Sequence, residues 1–81
     1  MIIRSQDRRG LVNLENIDTV CISTEWEIVT FNGNVKSFWG TYSTEEKAIK
    51  VLDMICRAYE YFRGGNVYEH SVFQMPQDSE V

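Results

Sequence analysis

The sequence predicts an α+β domain: an antiparallel sheet of about five strands packed against one long helix, roughly residues 43–63, with a short C-terminal strand. Three observations lead there. Asn32-Gly33 lies between two aromatic-rich runs, and Asn-Gly is the strongest short hairpin signal. Ser43-Thr44-Glu45-Glu46 has the form of a capping box and is followed by a helical apolar stripe. Short β-branched runs bounded by turn residues come before both.

Taken in order, residues 1–6 start a strand, and Asp7-Arg8-Arg9-Gly10 is a polar turn. Leu11 to Leu14 is a second short strand, Glu15-Asn16 a bend, and Ile17 to Ile22 a third strand. Glu25 to Phe31 and Val35 to Tyr42 form the hairpin. A two-residue Asn32-Gly33 loop sets Ile28 against Ser37, whereas a three-residue loop sets it against Phe38. Loop chemistry favours the first and apolar pairing the second, and a one-residue slip exchanges the faces. Gly40, inside a strand, marks a bulge or a close backbone approach.

Ser43 is placed to cap the helix, with Glu46 reaching back to its amide. The stripe Ala48, Val51, Leu52, Ile55, Ala58, Tyr59, Phe62 then marks the face turned to the sheet. Lys47, Lys50, Asp53, Arg57 and Glu60 fall on the wet side, and Gly64-Gly65 supplies the stop. Val67-Tyr68 and Val72 to Met75 each read as strand before Pro76 ends the run. The domain spans residues 1–76, with 77–81 expected to fray. A single terminal helix suits either a flat two-layer sandwich or a curled, pleckstrin-homology-like sheet that the helix closes.

Eighty-one residues bury only a small core, so a partner surface would help the domain. Net charge is −4, yet residues 1–10 carry +2 through Arg4, Arg8 and Arg9 against Asp7, leaving −6 on the rest. An acidic chain with three arginines disfavours nucleic acid as partner. The longest apolar runs are three residues, far short of the ~20 that span a membrane. No signal-peptide pattern opens the chain, so a cytoplasmic protein is expected, with Cys21 and Cys56 as free thiols.

Few residues offer chemistry. His70 is the single histidine and has no spacing that pairs it with either cysteine. One His and two scattered Cys fit no structural zinc pattern. The glycines form neither a dinucleotide fingerprint nor a phosphate loop. Glu25 and Glu27 flank Trp26 on one strand face without a third ligand nearby, so alternation explains them more simply than a metal does. No catalytic, cofactor-binding or metal residue is assigned.

One combination of segments resembles a known group. Arg4-Ser5-Gln6, Leu11-Val12-Asn13, Tyr42-Ser43-Thr44-Glu45-Glu46-Lys47-Ala48 with Val51-Leu52-Asp53-Met54-Ile55, and Val72-Phe73-Gln74-Met75-Pro76 together are similar to short uncharacterised proteins of Firmicutes and their phages. The resemblance implies a small cytosolic or prophage-encoded protein and supplies no activity, cofactor or site residue.

The expected function is a non-catalytic binding or assembly module that acts through protein contacts. Its candidate interface is Trp26, Val29, Phe31, Phe38, Trp39 and Tyr61. The hairpin carries apolar side chains on both faces and one helix covers only one, so a homodimer is expected. The alternative is a nucleic-acid accessory protein that uses Arg4, Arg8 and Arg9. No small-molecule substrate is identifiable.

Overall fold

The computed structural model describes residues 1–63 and 72–81. The Phe62 side chain, the Gly64-Gly65 stop, the Val67-Tyr68 strand and His70 lie outside the described residues. The elements are β1 (Ile2–Arg4), β2 (Leu11–Asn13), β3 (Thr19–Ile22), β4 (Glu27–Asn32), β5 (Val35–Thr41), α1 (Glu45–Arg63) and β6 (Val72–Gln74). Short 3-10 turns occupy Leu14–Asn16 and Asp78–Glu80.

The fold is α+β with one helix, but the strands form two three-stranded sheets rather than a single sheet of five. The first has the order β2-β1-β6, and the second β3-β4-β5. All pairs are antiparallel except β1 with β6, which is parallel. Neither sheet closes on itself, so the curled alternative finds no support in the topology.

Alternation sets the faces of the first sheet. Ile3 is fully buried, and its cross-strand neighbours Val12 and Phe73 pack half-buried against the same core. In the second sheet Ile22 stands opposite Ile28, which is also fully buried. α1 packs on β3 and β4 and contributes Ala48, Val51 and Ile55 to the core that Ile3, Ile28, Tyr42 and Met75 complete. Leu52 packs half-buried against it, and Ala58 and Tyr59, expected to be buried farther along the stripe, are half-buried.

Three local details depart from expectation. The hairpin adopts a third register, in which Asn32 faces Val35 and Gly33-Asn34 form the loop. Gly33 holds φ at 61°, and Asn34 needs no positive φ. A turn with positive φ only at its first central residue suits glycine there and asks nothing unusual of the second. The register then shifts between Ile28 and Val29, so Val29 faces Phe38 while Ile28 faces Gly40, and Trp39 is the extra residue of the bulge.

The helix cap is Thr44, not Ser43. Thr44 Oγ1 accepts from the Lys47 amide at 3.2 Å, and its carbonyl accepts from Ala48. Ser43 sits one residue earlier, and its amide donates to Asp78 Oδ1 at 2.8 Å. Residues 77–81, expected to fray, instead strap the helix start. Lys47 Nζ donates to the Asp78 carbonyl at 2.9 Å and forms an ion pair with its carboxylate at 3.4 Å. Val81 packs against the core.

Candidate interaction groove

The segment Ser5–Gly10 folds into a tight turn because its polar side chains serve its own amides. Ser5 Oγ accepts from the amides of Arg9 and Gly10 and donates to Asp7 Oδ1 at 2.6 Å. Asp7 Oδ1 also accepts from the Arg9 amide at 2.9 Å. The Ser5 hydroxyl, the Arg9 amide and the Arg9 charge hold the Asp7 carboxyl below its ordinary value. Arg4 directs its guanidinium to the Arg8 carbonyl at 3.2 and 3.3 Å. Arg8 sits at φ 65°, a left-handed conformation uncommon for this residue type.

This turn leans on the hairpin. A Cβ on Gly10 would meet the Trp39 ring at 3.3 Å, so glycine permits the close approach. The Gln6 amide donates to the Trp39 carbonyl at 2.7 Å, and Gln6 Oε1 accepts from the Thr41 amide at 3.0 Å. The basic turn and the aromatic hairpin, far apart in sequence, thereby enclose a groove. Its walls are Ser5, Asp7, Arg9 and Gly10 on one side and Ser37, Phe38 and Trp39 on the other. At ≈ 290 Å³ it admits a side chain or two rather than a large cofactor.

The expected interface residues divide among different environments. Val29, Phe31, Lys36 and Phe38 share the face of the second sheet that α1 does not cover. Val29, at the centre of that face, is only 1% exposed and does not reach the surface, whereas Phe38 is 58% exposed. Lys36 Nζ lies 5.2 Å from the Phe38 ring centroid and 6.0 Å from that of Phe31, within cation–π range. Trp39 turns inward: its indole N–H donates to Thr30 Oγ1 at 2.8 Å and its ring packs half-buried on the core. Trp26 likewise packs on the core from the turn before β4. Tyr61 lies on α1, exposed, and is not part of the groove.

Of the three arginines, Arg9 lines the groove, Arg8 occupies the turn, and Arg4 is engaged with the turn's carbonyl. Ser5, Asp7, Gly10 and Ser37 in the groove, and Lys36 beside Phe38, are the contributors that sequence reasoning missed. Their importance depends on the hairpin register and on the turn docking against β5, and neither leaves a local signal.

Among the described residues no group of three or more His, Cys, Asp or Glu side chains could hold a metal ion. Both cysteines are free, Cys21 half-buried and Cys56 exposed. No described helix is long and apolar enough to cross a membrane. No protein-family model, curated protein or solved structure matches the chain.

Proposed function

We propose that the protein is a non-catalytic binding or assembly module that acts through protein contacts, in the cytosol of a bacterium or a prophage-bearing host. The observation that carries the reading is Phe38. It stands 58% exposed beside Phe31 and Lys36 on a sheet face the helix leaves open. Aromatic side chains, Phe among them, are enriched at protein interfaces relative to the rest of the surface. The resemblance to short Firmicutes and phage proteins supports the cellular setting. A second copy of this chain is one candidate partner.

A photo-crosslinking benzoylphenylalanine in place of Phe38 tests this in cells, with the same group at the exposed Glu60 position as control. Covalent adducts to protein from position 38 alone are expected. An adduct of about twice 9.5 kDa would identify the partner as a second copy. Adducts to nucleic acid alone, or none, would overturn the reading.

A further inference from the structure

We infer that the free edge of β5 at Val35–Phe38 is a strand-addition site for an acidic, extended segment of a partner protein. The inference rests on the protein-binding reading above and names the partner's chemistry.

β5 is an edge strand, with β4 on one side. On its other side Gln6 occupies the stretch from Trp39 to Thr41, through the Gln6 amide to the Trp39 carbonyl and Gln6 Oε1 to the Thr41 amide. Among the described residues, no hydrogen bond from outside the hairpin reaches the backbone of Val35–Phe38. Alternate residues of an antiparallel edge point their N–H and C=O groups away from the neighbouring strand. Such an edge is a template for one more strand. The Gly33-Asn34 turn limits the template at one end and Gln6 at the other. What remains is one residue longer than β1, β2 and β6, which pair over three residues each in this same fold.

Side chains of an added strand would alternate between two settings. One is the groove under the Ser5–Gly10 turn, where Arg9 stands opposite Ser37 and Phe38. The other is the outer face, where Lys36 lies over the Phe38 ring. A cation therefore attends each setting, in a chain whose net charge is −4. Asp7 also borders the groove, where its carboxylate offsets the Arg9 charge, so the preference for carboxylates falls chiefly to Lys36 on the outer face. A second copy paired edge to edge about a two-fold axis would bring the same cations against their own images. Carboxylates on the incoming strand meet them with opposite charge. A nucleic-acid strand lacks the alternating amide donors and acceptors that the edge requires.

The test is a titration of the isotope-labelled full chain, followed through its amide resonances. The probes are a ten-residue peptide alternating Glu and Val, its Lys-Val counterpart, and a Glu-Val peptide interrupted by proline. The Glu-Val peptide is expected to shift the amides of Val35–Phe38, Arg9 and Gly10 and to slow their solvent exchange. Lys36→Glu, the Lys-Val peptide and the proline peptide are each expected to weaken binding about tenfold or more. The peptide variants leave the protein untouched, so the result stands even if Lys36→Glu folds poorly. No shifts at millimolar peptide, equal binding of the Lys-Val peptide, or shifts at β2 or β3 instead would overturn the inference. So would protection of the β5 edge by self-association without peptide. Protein adducts from position 38 alongside any of these results would leave the module reading standing.

Discussion

Among the described residues, two with side chains bear left-handed backbone, Arg8 at φ 65° and Trp26 at φ 60°. The conformation costs an L-residue roughly 1–2 kcal/mol. At Arg8 the backbone alone is fixed, through its amide to the Ser5 carbonyl and its own carbonyl to Arg4. Arg8→Gly is therefore expected to raise the urea midpoint slightly or leave it unchanged. Trp26→Gly relieves the same strain but removes a ring packed on the core, and is expected to lower the midpoint clearly. The cap gives a second contrast. Thr44→Ala should cost about 1 kcal/mol in chemical denaturation, and Ser43→Ala less, because Thr44 is the residue whose hydroxyl accepts from the helix. The motif Ser43-Thr44-Glu45-Glu46 offers two adjacent hydroxyl residues, and local sequence does not choose between them. Asp78 makes the choice by holding the Ser43 amide from the far end of the chain.

At the scale of elements, the helix was the most legible part because its pattern is entirely local. Ala48, Val51 and Ile55 repeat with helical spacing and all three are buried. Ile55→Ala is expected to cost about 2–5 kcal/mol, and Leu52→Ala, at the half-buried margin of the stripe, less. The hairpin was legible as a hairpin, but its register was not. Asn32-Gly33 drew both expected loops one residue too early. The turn that forms puts Gly33 first and gives Asn32 to the strand, where it faces Val35. The bulge at Trp39 then turns the indole inward to Thr30 while Phe38 faces solvent. Two consecutive aromatics do not reveal which of them a bulge will turn inward.

For the molecule as a whole, the pairing of β1 with β6 had no sequence signal, because parallel strands at opposite ends of a chain share no turn. Gln6 ties the two sheets together: Nε2 donates to the carbonyls of Thr41 and Pro76, each at 3.1 Å. Gln6→Ala is expected to cost about 1–3 kcal/mol and to speed amide exchange at Thr41. Acid should loosen the same junction. The Ser43 amide chiefly, helped by the Ser43 side chain and Lys47, holds the Asp78 carboxyl below its ordinary value. A carboxyl depressed in the folded state stabilises the fold above its unfolded value near pH 4, and that contribution is lost as pH falls through the folded value. Urea midpoints measured from pH 6 down to pH 2 should therefore fall most below about pH 4. Asp78→Asn should start lower at pH 6 and lose less on acidification. The parallel pair also bears on how the chain is made. β1 leaves the ribosome first among the strands, but one of its two neighbours is the last to be synthesised. The second sheet needs only contiguous sequence and can assemble while translation continues. The first sheet must wait, with β1 exposing an open flank to solvent or to nascent-chain chaperones until residue 74 has emerged.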